Sequence, residues 1–306
     1  MKITVLAENT AADGLEAEHG LSFWIEYEGH RFLLDAGSSD VFAENAGKLG
    51  IPVEKAEFAV LSHGHYDHAG GYARWFRENP EGKVYARRGA FGRYYSLTGG
   101  EPRYIGIPEQ VKAYRDRFCF LSDNCRLLPG VWAVGHRSGE KSGRVKDQEP
   151  EGQGKTSGKK NGISLEEQRK IRAEKEKMYV QTENGLVPDD FSHEQCLVLE
   201  GKNGLVILSS CSHAGIDSSI REVQALFPEH PVQAVLGGFH LKGGPLGDSP
   251  FAEAEIRSLG ETLKDMEIPE IRTGHCTGEA AYAILKEILG ERIHRLRSGL
   301  EITGFQ

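Results

Sequence analysis

His63, His65, Asp67 and His68 fall within six residues of the stretch "VLSHGHYDHAGGY", Val60 to Tyr72. Three imidazoles and a carboxylate at this spacing are metal-ligand types. On an extended segment, residues i and i+2 point to one side, so His63 and His65 can share one ion. Asp67 and His68 are adjacent, and a turn there aims both at a second ion. Nitrogen and oxygen ligands suit zinc, iron or manganese rather than a thiolate-only site. Two neighbouring ions lower the pKa of bound water and hold reacting oxygens. Gly64, Gly70 and Gly71 allow backbone paths that side chains would block. A loop that merely satisfied its own hydrogen bonds would not need four such residues.

These ligands need a rigid mount. "EFAVLS" is a buried strand that delivers the chain into the motif. Before it, "ITVLAE" reads as a strand, and "LSFWIEYEGHRFLLDAG" as a hairpin turning at Glu28-Gly29. Residues 40–49 have helical apolar spacing, with Gly50 as the stop. "GYARWFREN" reads as a helix and "KVYAR" as a strand. Downstream, "QCLVLEGKNGLVILSSC" predicts a hairpin with Asn203-Gly204 as its turn. A helix over 216–227, the strand "PVQAVLGG" and a helix over 250–266 opened by Ser249-Pro250 follow. "EIRTGHC", "GEAAYAILKEILG" and "RLRSGLEITGF" then read as strand, helix and closing strands.

Composition narrows the function classes. Lys and Arg number 37 against 45 Asp and Glu, a net charge of −8. Nucleic acid is therefore not an expected partner, since phosphate binding needs a basic face. No apolar run reaches the ~18 residues of a membrane span. The N-terminus reads as a first strand rather than a signal peptide. The five cysteines are scattered, so a reducing cytoplasm is expected rather than a disulfide framework. The 306 residues are read as one domain carrying an insert at 137–178. That insert holds 12 Lys/Arg against 8 Asp/Glu. Its first part is a flexible linker by composition. From Ser164 it reads as a charged helix capped by Ser164-Leu-Glu-Glu, on a solvated surface excursion. A flap near an anionic substrate is the functional alternative.

The ligand motif resembles the metallo-β-lactamase superfamily. "FLLDAG", "LVILSSCSHAGI", "GGFHL" and "RTGHCTG" extend the resemblance over roughly 1–136 and 179–306. With "FSHEQCLVLEGKNGLVILSSCSHAGI", the set is similar to the 7,8-dihydropterin synthase-like branch. The fold implied is α+β, a four-layer αββα sandwich with two mostly antiparallel sheets. The resemblance implies two divalent metal ions, zinc first, with manganese or iron as alternatives. His63 and His65 would bind one ion, and Asp67, His68 and His275 the other. His213 is preferred over His136 to complete the first, because it follows the most apolar strand in the chain. Cys211 would bridge or bind the ions, or simply fill space beside them. Asp35 would orient a ligand imidazole, and His240 would be a general acid or an oxyanion contact. Asp67 joins His240 as a catalytic candidate. Cys276 needs no role on this reading. Glu194 and Gln195 are structural or distant substrate contacts.

The activity implied is that of a cytoplasmic dinuclear metal-dependent hydrolase or dihydropterin synthase-like enzyme. Its substrate would be a small anionic molecule, phosphorylated by expectation, attacked by metal-bound hydroxide. A glyoxalase II-like thioesterase is the other enzyme reading. A metal-binding or regulatory protein without turnover is the alternative of a different class.

Overall fold

The computed structural model describes residues 1–135, 164–242 and 251–305. His136, residues 137–163 of the insert, and Ser249-Pro250 lie outside the described residues. Two seven-stranded sheets dominate, joined by a four-stranded one. The first sheet begins with Lys2–Ala7 and the hairpin Ser22–Tyr27/His30–Leu34. Glu28 and Gly29 both take positive φ, 47° and 86°, which is what a two-residue hairpin turn of right-handed twist requires. Phe58–Val60, Val84–Arg87 and Phe118–Leu121 complete that half of the sheet in parallel. The second sheet pairs Cys125–Leu128, Val131–Gly135, Gln195–Gly201 and Gly204–Leu208 antiparallel. It then continues in parallel through Val232–Gly237, Glu270–Thr273 and Ile293–Arg295.

The sheets are thus half parallel, not mostly antiparallel as expected. The cause is the helical crossover between successive strands. Helices Val41–Leu49, Ile216–Leu226, Glu253–Asp265 and Glu279–Leu289 each separate two neighbouring strands, and such a connection returns the chain in the same direction.

Three apolar clusters define four layers. One lies between the sheets and includes Ile3, Phe23, Ile25, Leu197, Val206 and Leu236. A second packs the first sheet against its helices through Trp24, Phe42, Tyr72 and Trp75. A third packs the second sheet against its helices through Val198, Ile207, Ile220, Leu263 and Leu285. This is the αββα sandwich.

Two boundaries differ from expectation. Gly201 pairs with Gly204, so the hairpin turns on Lys202-Asn203 and Gly204 opens the next strand. Helix Glu253–Asp265 starts three residues later than expected. Its first turn is closed by the Glu255 carboxylate accepting the Ala252 N–H at 2.8 Å.

The insert's helix forms at Leu165–Glu176, with Ser164 Oγ accepting from the Glu167 N–H at 3.1 Å. It is not a solvated excursion. Arg169, Ala173 and Glu176, at helical spacing i, i+4 and i+7, are all buried. Charge alone suggested solvent, but each buried charge is paired: Arg169 with Glu222 at 2.7 Å and Glu176 with Arg172 at 2.7 Å.

Candidate metal centre

The candidate residues stand at the C-terminal ends of the parallel strands. Asp35 follows His30–Leu34, and the ligand loop follows Phe58–Val60. Cys211 and His213 follow Gly204–Leu208, His240 follows Val232–Gly237, and His275 follows Glu270–Thr273. Asp35, Ser212, His240 and His275 all take positive φ, between 44° and 59°. Such conformations cost energy in non-glycine residues and persist where the surroundings enforce them.

The structure brings the predicted residues together. The His63, His65 and His213 rings have centroids 4.5–4.9 Å apart. Asp67 Oδ2 lies 3.5 Å from His275 Nε2 and 3.8 Å from His68 Nε2. Cys211 sits between the groups. Its Sγ is within 4.8 Å of ligand atoms on both His63 and His213, and likewise on both His68 and His275. Asp67 and His68 reach inward from the short helix Tyr66–Ala69. Gly64 and Gly70 make this loop possible, because a Cβ on either would collide with the carbonyl of Ala90 or of Ser38.

Four imidazoles are oriented from behind. Asp35 Oδ2 accepts from His68 Nδ1 at 2.7 Å and from Ser62 Oγ at 2.7 Å. With its proton given to Asp35, Ser62 Oγ accepts from His63 Nδ1 at 2.8 Å. Asn9 Oδ1 accepts from His275 Nδ1 at 2.9 Å, and Glu176 Oε2 stands 3.4 Å from His213 Nδ1. The Nε2 atoms of His63, His65, His213 and His275 are buried with no hydrogen-bond partner. A buried polar atom left unpaired is costly, and the three on His63, His65 and His213, whose rings lie 4.5–4.9 Å apart, fit a divalent cation.

Electrostatics agree with that fit. Burial, reinforced by neighbouring imidazoles, holds His63 and His213 well below the usual histidine value. His65 is held at about 3, again chiefly by burial. Neutral imidazole is the form that binds a metal. His68 differs: burial pulls it down, but the Asp35 and Asp67 carboxylates outweigh this and raise it to about 9. A cation bound at Nε2 would take the place of that proton.

The His240 ring lies 4.0 Å from that of His213, centroid to centroid and tilted by 44°, with Nε2 3.7 Å from Glu176 and Nδ1 unpartnered. Cys276 has more than a spacer's contacts. Its Sγ is 3.4 Å from Cys211 Sγ and accepts from the His240 N–H at 3.3 Å. Glu194 splints the His213 turn, accepting the amides of His213 and Ala214 at 2.8 and 3.0 Å. Gln195 donates to the Leu61 carbonyl beside the ligand loop.

Sequence reasoning missed Glu8, Asn9, His19, Glu176 and His193. Glu8 Oε1 accepts the His275 amide at 2.5 Å. His19 stacks on His275 at 4.9 Å and reaches Asp67 Oδ2 at 3.2 Å. His193 accepts the Gly64 amide at Nδ1 and donates from Nε2 to Asp189, both at 3.0 Å. Only His193 carried a signal, a histidine just ahead of an apolar strand. Among the described residues, no helix is long and apolar enough to cross a membrane.

Residues 15–154 match the family model of the metallo-beta-lactamase superfamily. Over those residues the chain is similar to that superfamily, and it has the superfamily's fold. It is similar to the 7,8-dihydropterin-6-methyl-4-(beta-D-ribofuranosyl)-aminobenzene-5'-phosphate synthase of Methanocaldococcus jannaschii, 28% identical over 98% of this chain and 95% of the relative. Among solved structures, Tm1679, a metal-dependent hydrolase of the beta-lactamase superfamily, aligns over 100% of both chains at 27% identity and a TM-score of 0.76. Zinc-bound PqqB from Methylobacterium extorquens shares the fold at 12% identity and a TM-score of 0.54, over 99% of this chain and 100% of that one.

Proposed function

We propose that this chain is a dinuclear metal-dependent enzyme acting on a small anionic substrate, either by hydrolysis or by a dihydropterin synthase-like reaction. The observation that carries the reading is the set of four buried, unpartnered imidazole Nε2 atoms on His63, His65, His213 and His275, with Cys211 grouped against His63 and His213 on one side and His275 on the other. His63, His65 and His213 would hold one ion, Asp67, His68 and His275 the other, with Cys211 shared. Bound there, divalent ions supply Lewis acidity and lower the pKa of coordinated water. Asp35, Ser62 and Asn9 fix the tautomers of His63, His68 and His275. His240, raised to about 9 because the Glu176 carboxylate outweighs its burial, can hold a proton for a leaving group.

The anionic substrate class draws on two supports. The M. jannaschii relative is named for a phosphate-bearing product. A cavity of about 390 Å³ also opens against His275, with Lys242 and Arg295 on its wall, the latter paired with Glu279. The test is elemental analysis of purified and re-metallated protein, coupled to rates on phosphodiester, thioester and pterin substrates. A ceiling of one ion per chain at saturating metal would refute the dinuclear reading. Turnover of the thioester alone would favour a glyoxalase II-like activity, and no turnover with both ions bound would favour a binding role.

A further inference from the structure

Glu176 belongs to the basic segment that the sequence assigns to the surface, yet its side chain is fully buried beside His213 and His240. Its Oε2 lies 3.4 Å from His213 Nδ1 and 3.7 Å from His240 Nε2, while Oε1 accepts from Arg172 Nε at 2.7 Å. His213 Nε2, on the other side of the ring, is buried and unpartnered. The pairing of a carboxylate with Nδ1 is of the same kind as that of Asp35 with His68, at 3.4 Å rather than 2.7 Å.

The helix Leu165–Glu176 is fastened where it can hold Glu176 still. Arg172 Nη2 donates to the carbonyls of Phe239 and His240 at 3.2 and 3.4 Å, binding the helix to the loop that carries His240. Arg169 pairs with Glu222 on the helix Ile216–Leu226. Lys175 pairs with Glu255 on Glu253–Asp265. Ala173 packs with Phe191 and Ala214, and Phe191 stacks on the His213 ring at 4.9 Å.

The geometry points to Glu176 as a positioning residue of the first metal site: the helix of the insert supplies the carboxylate that fixes the tautomer and direction of His213. The inference rests on the reading of His213 as a ligand. A ligand imidazole whose Nδ1–H is held by a carboxylate is locked in orientation and made more basic, and losing that partner typically costs ~10–100-fold in metal affinity. The insert is on this account part of the centre.

The test is titration of the metal-free protein with Zn(II) and Co(II) against a chelator, with melting of each metal-free variant as a check of folding. Glu176→Gln keeps the shape and removes the charge. It should weaken one equivalent roughly 10–100-fold, the same one that His213→Ala abolishes, and shift the Co(II) visible spectrum, with the other equivalent unchanged. Glu176→Asp, which keeps the charge on a shorter stem, should fall between Gln and wild type, and serves if Gln does not fold. Glu222→Gln, which loosens the same helix away from the site, should leave both affinities as they are. Wild-type affinities in Glu176→Gln, or equal weakening of both equivalents, overturn the inference. A wild-type chain that takes one ion refutes the dinuclear reading instead, and the Glu176 variants then test the inference on that ion. A chain that takes none refutes both.

Discussion

The Glu8 carboxylate accepts the backbone N–H of His275, tying together residues 267 apart in sequence. Its other oxygen accepts from the amide and hydroxyl of Thr10 at 2.6 and 2.7 Å. Glu8→Ala leaves the buried His275 amide without an acceptor, which costs about 1–3 kcal/mol. Denaturant unfolding of the metal-free protein measures it. Wild-type stability would show that the bond contributes nothing.

Asp35 organises two imidazoles at once, His68 directly and His63 through Ser62. Asp35→Asn offers a neutral amide in its place. Metal affinity should then fall by roughly 10–100-fold, and because both imidazoles lose their support, both equivalents weaken. Competition with a chelator reads this out. Weakening confined to one equivalent would mean that the Ser62 relay does not matter.

Among the described residues, the Cys211 thiol lies within 4.8 Å of ligand atoms in both imidazole groups. Loading with Co(II) should give a near-ultraviolet thiolate-to-metal charge-transfer band. Cys211→Ser should abolish it, while Cys276→Ser should leave it in place. A band that survives Cys211→Ser would transfer the thiolate role to Cys276.

His213 and His136 are the two candidates that the sequence offers for the third position of the proposed first site. His213→Ala should remove about one metal equivalent and nearly all activity. His136→Ala should retain the full complement. The reverse pattern, read by elemental analysis, would place the start of the insert at the centre.

Much of this was legible because its causes are local. The hairpin at Glu28-Gly29 and the stop at Gly50 follow from backbone preference, and the ligand loop is contiguous. The parallel halves of the sheets were not legible, because strand direction is set by crossovers packing onto a distant core. Glu8, Asn9 and Glu176 were hidden for a related reason: each is an ordinary polar residue locally and acquires its role from a partner far along the chain. The helix Leu165–Glu176 shows the limit of charge as a guide. Its arginines and glutamates read as solvated, whereas pairing let Arg169 and Glu176 be buried.

The candidate ligands are divided between the two sheets. His63, His65, Asp67 and His68 hang from the first, and Cys211, His213 and His275 from the second. Ions held between them would clasp one half of the sandwich to the other, so that separating the sheets and releasing the metal would become a single event. Folding is then linked to free metal, by about 2.7 kcal/mol when the ion stands at 100 times its dissociation constant. The working lifetime of the chain against heat and proteases would follow the metal supply around it.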